Sequence, residues 1–170
     1  MYIEAVKLSA KVDYAVRAAL ELAAAGDEPV KSEHIARAQD IPPRFLENIL
    51  MEMRQAGLLH SQRGADGGYW LARPASDITV ADVMRVEAGN LADIHGERPE
   101  AVRYQGNAER LRDVWVAART VYRDVLEHVT LADIVAGDLP SEICELTSRP
   151  DTWRSHWPPS AGAEAAAAKA

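Results

Sequence analysis

Residues 41–73 constrain the fold more than any other part of this 170-residue chain. Their first half, IPPRFLENILMEMRQAG, places apolar residues at steps of three and four, which predicts an amphipathic helix with one buried stripe. The predicted stripe consists of Phe45, Leu46, Ile49, Leu50 and Met53. Pro42 and Pro43 suit the first turn of this helix, and Gly57 suits a left-handed cap at its end.

The second half of the segment, LLHSQRGADGGYWLAR, predicts a tight two-stranded hairpin. Residues 58–62 and 69–73 are short strand-like runs, and Asp66, Gly67 and Gly68 between them can supply the positive φ that a tight reversal needs. A helix followed directly by a glycine-tipped hairpin is typical of a winged helix-turn-helix, a DNA-binding unit. A purely structural hairpin is the alternative.

The polar face of the predicted helix carries side chains that can bind base edges. Arg44 can donate to guanine, Asn48 can pair with adenine, and Glu47 can accept from cytosine. At the hairpin, Arg63 lies beside Gly64, whose small size allows a close approach to a phosphate or a groove wall. These residues predict a DNA-reading surface, with an ordinary solvated face as the alternative for the helix alone.

A supporting helix is predicted just before the base-reading helix, over residues 33–39. Ser32 can cap it, and Lys31 and Ser32 are candidates for phosphate contacts, although simple capping is the alternative for Ser32. The first helix of the chain is expected from a Ser9 cap to about Ala25. A later helix is expected over residues 80–88, where Thr79 and Asp82 form a capping-box pattern.

Two stretches of the chain resemble the Rrf2 family of bacterial winged-helix regulators, which includes IscR, NsrR and CymR. They are KLSAKVDYAVRAALELA at residues 7–23 and the wing string SQRGADGGYWLARP, whose R-G-x-x-G-G-Y pattern is the distinctive part. The resemblance covers roughly residues 6–135. It implies that Glu47 and Asn48 lie at base-reading positions of the recognition helix and that Arg63 enters the minor groove.

Residues 90–106, NLADIHGERPEAVRYQG, are predicted to be a loop. In iron–sulfur members of the family, this region supplies three clustered cysteines. Here it contains none, and the chain has one cysteine in all, Cys144. We therefore expect no cofactor and no metal site. A mixed cluster site that combines Cys144 with His95, Glu97 or Glu100 is the alternative, and a loop that senses a small molecule or a protein co-regulator is the main expectation.

Residues 107–130 are predicted to form the longest helix, about 36 Å at 1.5 Å per residue. Its long apolar stripe would be an exposed patch in a small winged helix, which favours pairing with the same helix of a second protomer about a two-fold axis. The expected dimer contacts are Leu111, Trp115, Ala118, Tyr122, Val125 and Val129. Packing entirely within one chain is the alternative.

The sequence thus predicts a mainly α chain: a winged helix-turn-helix with a long C-terminal dimerisation helix. Its expected divisions are a DNA-binding domain at 6–89, a sensor-type loop at 90–106, the dimerisation helix with a short following helix at 107–139, and a largely flexible tail at 140–170. The net charge is −7, but residues 1–75 account for only −1 of it, so the acidic excess lies mostly outside the DNA-binding domain.

The expected function is that of a cytoplasmic transcription regulator, a repressor that binds a pseudo-palindromic double-stranded DNA operator as a homodimer. The chain has no catalytic, phosphate-loop or dinucleotide motif and no membrane-length apolar run, so neither an enzyme nor a membrane protein is expected. Two alternatives remain open: a redox regulator with an unusual iron–sulfur cluster, and a winged helix that serves as a protein-interaction module.

Overall fold

The computed structural model describes residues 8–89, 91–94 and 96–154. In chain order its helices are α1 (Ala10–Ala25), α2 (Ser32–Gln39), α3 (Pro43–Gln55), α4 (Val80–Ala88), α5 (Leu111–Glu127), α6 (Leu131–Ala136) and α7 (Ser141–Ser148), and its strands are β1 (Leu59–Gln62) and β2 (Gly68–Leu71). Single-turn 3-10 helices occur at Ala75–Asp77, Gly106–Ala108 and Pro150–Trp153. The chain is mainly α, as predicted.

Helix α1 lies at the centre of the core. The Ser9 side chain accepts a hydrogen bond from the Val12 amide at 3.2 Å, and Gly26 ends the helix, both as predicted. Three of its alanines, Ala15, Ala18 and Ala19, have no exposed surface. Because these side chains are small, α2, α3, α4 and α6 can all pack closely against one helix.

Helices α2 and α3 form the helix-turn-helix. The turn between them uses Asp40 in the left-handed region, with φ 50° and ψ 46°, a conformation that aspartate tolerates better than most residues. Ile41 follows as a buried residue, and Pro42 and Pro43 begin α3 as predicted. The turn therefore reverses the chain within three residues and sets α3 against α1 and α2.

The wing is an antiparallel hairpin in which Leu59 pairs with Leu71 and Gln62 pairs with Gly68. Its strands are shorter at their outer ends than predicted. Val30 also pairs with Tyr69, through backbone hydrogen bonds of 2.8 and 2.9 Å, so the segment before α2 adds an isolated bridge to the edge of the wing. This bridge holds the wing against the helix-turn-helix.

A second backbone bridge connects the start of α4 to the C-terminal helices. Thr79 pairs with Thr130, and the Val80 amide donates to the Val129 carbonyl at 2.9 Å. Each threonine caps the helix that follows it through a complete capping box, Thr79 with Asp82 and Thr130 with Asp133. The starts of α4 and α6 are therefore fixed side by side.

Helix α5 is shorter than predicted. Its 17 residues correspond to about 26 Å at 1.5 Å per residue, rather than about 36 Å. Gly106–Ala108 forms a separate 3-10 turn before it, and the chain leaves the helix at His128 because Thr130 must cap α6. Val129 is consequently buried in this core at 7 % exposure, so its prediction as a dimer contact is wrong.

The chain divides into two compact units between Leu139 and Pro140. In the second unit, α7 is followed by the Pro150–Trp153 turn, where the Trp153 indole Nε1 donates to the Thr147 carbonyl at 2.7 Å. Residues 155–170, which include His156 and Trp157, lie outside the described residues, as does His95. No helix within the described ranges is both long enough and apolar enough to cross a membrane.

Candidate DNA-binding surface

Helix α3 divides cleanly into a buried and an exposed face. Four residues of its predicted stripe have no exposed surface, namely Leu46, Ile49, Leu50 and Met53. Arg44, Glu47 and Asn48 lie on the opposite face and are all exposed. The apolar stripe therefore fixes the rotation of the helix and presents the three predicted base-reading side chains to solvent together.

Phe45 departs from the predicted stripe. It is 50 % exposed and packs edge-on against Tyr14 of α1, with ring centroids 6.1 Å apart and planes at 81°. The reason is its place in the first turn, where α3 reaches past the main core and meets only the rim of α1. The Tyr14 ring also contacts Arg17, whose guanidinium carbon lies 5.4 Å from the ring centroid. Phe45 thus borders the exposed face beside Arg44.

Arg63 and Gly64 lie on the exposed tip of the wing. Gly64 has a φ of 115°, a backbone conformation that is strained for residues with a side chain. The positive φ of the turn therefore lies at Gly64 and not at Gly67 or Gly68, where it was predicted. Those two glycines serve close approach instead. A Cβ on Gly67 would lie 2.2 Å from the Gln62 carbonyl oxygen, and one on Gly68 would lie 2.6 Å from the Val30 carbonyl oxygen.

Lys31 and Ser32 lie beside the wing because Val30 pairs with Tyr69. The prediction that Ser32 caps α2 is wrong: Lys31 is the N-cap residue, Ser32 is the first helical residue, and no side chain caps this end. The extended backbone of the bridge continues through Lys31, so the helix begins one residue earlier than expected. Lys31 is exposed and Ser32 is half-buried.

The proposed contact residues are free of internal ion pairs. Within the described ranges, Arg44, Glu47 and Arg63 form no salt bridge, and Lys31 forms none either. Their charges therefore remain available to a partner. An arginine at the start of a recognition helix and another at a wing tip are suited to base edges or phosphates.

Sequence reasoning missed an ion triad that connects three helices behind this surface. The Lys11 ammonium of α1 lies 2.5 Å from Glu52 Oε2 of α3 and 2.8 Å from Glu87 Oε2 of α4. The Glu87 side chain is fully buried, and burial raises its pKa, whereas the hydrogen bond from Lys11 lowers the pKa of Glu52. No local pattern predicts this triad because its members lie on separate helices.

The outer face of α5 is apolar and largely unpacked. No residue of this helix is buried, and its exposed large hydrophobic side chains are Leu111, Val114, Trp115 and Val121. Ala118 is also exposed, whereas Val125 is half-buried. Tyr122 is half-buried and packs with Leu126 against the small core cluster around α4. Val114 and Val121 are exposed on the same helix, although they are not among the six predicted dimer contacts.

The loop after α4, residues 90–106, contains no cysteine that could bind an iron–sulfur cluster. Such a cluster needs four ligands, usually thiolates. Cys144 is the one cysteine of the sequence, and it belongs to the second unit. Among the described residues, no three His, Cys, Asp or Glu side chains converge to hold a metal ion. Glu100 instead lies 2.7 Å from the Arg119 guanidinium, and the Glu97 backbone pairs with Ile94.

Comparison with known proteins gives a consistent match. The Rrf2 family, described as an iron-dependent transcriptional regulator, matches residues 8–137. A Mycobacterium tuberculosis (strain H37Rv) protein named as an HTH-type transcriptional regulator is 45% identical over 141 residues, which cover 82% of this chain and 88% of that protein. The HTH-type transcriptional regulator CymR of Bacillus subtilis is 31% identical over 131 residues, which cover 76% and 90% of the two chains.

Solved structures agree with this match. The structure of CymR, described as the global cysteine regulator of B. subtilis, aligns with a TM-score of 0.68 at 30% identity, covering 78% of this chain and 98% of that one. T. potens IscR aligns with a TM-score of 0.64 at 33% identity, covering 77% and 87%. Both structures confirm the predicted winged-helix fold class.

Proposed function

Because the chain belongs to the Rrf2 family of DNA-binding transcription regulators, we propose that it is a homodimeric repressor of a pseudo-palindromic operator that senses its signal without an iron–sulfur cluster. Its relatives are transcriptional regulators and not enzymes. The observation that carries the proposal is the surface of α3 and the wing, where Arg44, Glu47, Asn48 and Arg63 are exposed together.

These residues have separate roles on the operator. Arg44, Glu47 and Asn48 read base edges in the major groove, and Arg63 enters the adjacent minor groove, supported by Gly64 at the wing tip. Lys31 contacts phosphate and contributes affinity without sequence preference. Ser32 is a weaker phosphate candidate, because it is half-buried and occupies the first turn of α2.

The dimer part of the proposal depends on α5. Its exposed apolar side chains need a cover that the described part of the chain does not provide. A second copy related by a two-fold axis covers them and presents two α3 helices to half-sites about one helical turn of DNA apart, or a multiple of it. A dimer seated on a promoter excludes polymerase, so repression is the expected outcome.

The cluster-free part of the proposal depends on donor chemistry. The loop after α4 has no thiolate, and its Glu100 is already engaged by Arg119. A protein purified without oxygen should therefore be colourless and contain no stoichiometric iron or sulfide. A brown protein with iron and sulfide would contradict this part of the proposal and leave the rest intact.

The test of DNA binding is a titration of the purified dimer against the DNA upstream of its own gene, followed by fluorescence anisotropy. We expect Glu47→Ala and Arg63→Ala each to weaken specific binding by about tenfold or more, since one base contact contributes roughly 1–3 kcal/mol. Lys31→Ala should weaken binding to all sequences and lower the salt dependence by about one counterion.

Arg110→Ala is the matched control, because Arg110 is exposed, precedes α5 and belongs to neither α3 nor the wing. It should bind DNA like the wild type. Unchanged binding by both Glu47→Ala and Arg63→Ala would refute the assigned contacts. If the wild-type protein does not bind the upstream DNA at all, the result would instead favour the protein-interaction module.

A further inference from the structure

A cleft between the end of α4, the following loop and α5 is lined mostly by arginines. Its volume is about 310 Å³, at the lower end of the range for small-molecule sites. The lining residues are Arg85, Gly89, Leu91, Arg98, Glu100, Arg119 and Arg123. Four cations face one carboxylate in a chain whose net charge is −7, so this cleft is a local reversal of the protein's charge.

Arg119 is the anchor of the cleft. Its side chain is only 14 % exposed, and its Nη2 lies 2.7 Å from Glu100 Oε2. Its Nε is buried and has no hydrogen-bond partner. An unpartnered buried N–H is costly, and a guanidinium presents Nε and Nη2 on one edge, where a carboxylate or phosphate can accept two parallel bonds. Glu100 thus occupies only half of this edge.

The other arginines are arranged around this anchor. Glu127 pairs with Arg85 and lies 3.0 Å from Arg123 Nε, so two cations share one carboxylate. Arg98 is exposed and has no ion pair within the described ranges. Three carboxylates therefore act on the cleft: Glu100, Glu127 and Asp82, which lies 3.7 Å from Arg85. The four arginines still leave a net positive charge, and Arg98, whose charge acts on Glu100 without forming a salt bridge, can bind an external anion.

We infer that this cleft binds a small anionic metabolite through a carboxylate or phosphate group, held by Arg119 and Arg98, and that this metabolite is the effector that changes DNA affinity. The first part stands on the geometry of the cleft alone. The second part rests on the proposed function. The ligand competes with Glu100 for Arg119 and draws Arg85 away from Glu127.

Helix α4 connects the cleft to the recognition helix. It carries Arg85 at the cleft and, two residues further on, Glu87 in the ion triad. Glu87 pairs with Lys11, which also pairs with Glu52 of α3. A displacement of α4 by a bound anion therefore acts through Lys11 on Glu52 of α3, the helix that carries Arg44, Glu47 and Asn48.

The binding test uses the full-length protein with sodium phosphate, sodium sulfate and sodium succinate, against sodium chloride at matched ionic strength. Thermal unfolding and isothermal titration measure the interaction. We expect phosphate or succinate to raise the melting temperature saturably, because a ligand that binds only the folded state stabilises it. A comparison of the responses to phosphate and to succinate distinguishes a phosphate group from a carboxylate.

Variants locate the site. Arg119→Ala and, separately, Arg98→Ala should each weaken anion binding by about tenfold or more, since charge-assisted hydrogen bonds contribute roughly 1.5–3 kcal/mol. Arg98 is exposed, so its variant should keep the fold even if Arg119→Ala does not. Arg112→Ala is the control, because Arg112 lies on the same helix two turns away and outside the cleft.

Two results would overturn anion binding at this cleft: a dissociation constant weaker than about 1 mM for every anion tested, and equal binding by Arg98→Ala and Arg112→Ala. Saturable binding that leaves operator affinity unchanged would overturn the effector role. Operator binding by the anion-free protein is measured first. If the proposed function is wrong, no sample binds the operator. If only this inference is wrong, the anion-free protein still binds it.

Discussion

Helices α3 and α5 are both strongly amphipathic, yet they leave opposite faces without a partner. Helix α3 buries Leu46, Ile49, Leu50 and Met53 completely and exposes its polar face. Helix α5 buries none of its residues and exposes apolar side chains such as Val114 and Val121. Each helix was predicted from the same three- and four-residue periodicity. Periodicity therefore predicts that a face exists, and only the packing shows which face remains for a partner.

The chemistry of the unsatisfied face indicates the partner. An exposed face with Arg44, Glu47 and Asn48, which have no internal ion pairs, suits the polar edges of DNA bases. An exposed apolar face suits another apolar face, for which a second copy of the same helix is the simplest source. Substitutions on α3 should therefore separate stability from DNA binding, and substitutions on α5 should separate folding from dimerisation.

The largest expected effect is on the buried face of α3. Leu50→Ala should lower the free energy of unfolding by about 3 kcal/mol, because it removes a fully buried side chain and leaves a cavity. Met51→Ala, at the neighbouring and exposed position, should change it by less than about 0.5 kcal/mol. Urea unfolding at fixed protein concentration measures both. Equal losses would show that α3 has no distinct buried face.

The next effect is on the exposed face of α5. Val121 is 63 % exposed, and in the proposed two-fold dimer any substitution is present twice at the interface. Val121→Asp should raise the dimer dissociation constant about 100-fold, which corresponds to about 2.7 kcal/mol, while the far-ultraviolet circular dichroism stays unchanged. Thr120→Asp, at the preceding exposed position and about 100° away around the helix, is the control. Sedimentation of Val121→Asp as a wild-type dimer would remove this face from the interface.

A smaller effect is expected for the triad that joins α3 to α1 and α4. Lys11→Met leaves Glu52 and Glu87 close together without their shared cation. We expect a loss of about 2 kcal/mol in unfolding free energy, because one of the two carboxylates is buried. Lys31→Met is the comparison, since Lys31 is exposed and has no ion pair within the described ranges. A loss no greater than that of Lys31→Met would show that the triad contributes nothing.

The smallest effect concerns the pH dependence of stability. Burial raises the pKa of Glu87, so the folded chain keeps this proton at pH values where the unfolded chain has lost it. The wild type therefore gains stability from this group as the pH falls through the raised pKa towards the ordinary glutamate value of about 4.3. Glu87→Gln should be more stable than the wild type by up to about 1 kcal/mol at about pH 8 and should lose this advantage at about pH 4.

Glu28→Gln in an exposed turn should leave the pH profile unchanged. Thermal unfolding across the pH range gives both profiles. If Glu87→Gln instead lost stability at high pH and matched the wild type at low pH, the ion pair with Lys11 would outweigh the desolvation of Glu87, and the sign of the argument would be reversed.

Much of the fold was predictable because its signals are local. The Ser9 cap, the Thr79 and Asp82 capping box, and the glycine ends of α1 and α4 lie within a few residues of the structure they specify. The buried residues of α3 and its exposed base-reading face follow from periodicity in the same way. The family resemblance added the roles of the wing, which its glycine string alone leaves open.

The errors occurred where distant segments meet. Ser32 does not cap α2 because Val30 pairs with Tyr69 of the wing, and Val129 is buried because the Thr79 bridge places it in the core. Gly68 was assigned to a positive φ, but its position requires glycine because the Val30 carbonyl lies close to it. These three contacts have no signature within the neighbouring residues. The error at Gly67 is instead one of local turn geometry, since the close carbonyl belongs to Gln62 of the same hairpin.

Local sequence patterns are sufficient to predict the mainly α content, the wing, the recognition helix and the amphipathic faces, since each depends on short-range backbone and side-chain preferences. The grouping of the charges, in contrast, depends on how the helices pack. The triad of Lys11, Glu52 and Glu87 and the arginine cleft around Arg119 bring together residues from separate elements. Such groups depend on the relative position of packed helices, which periodicity does not encode.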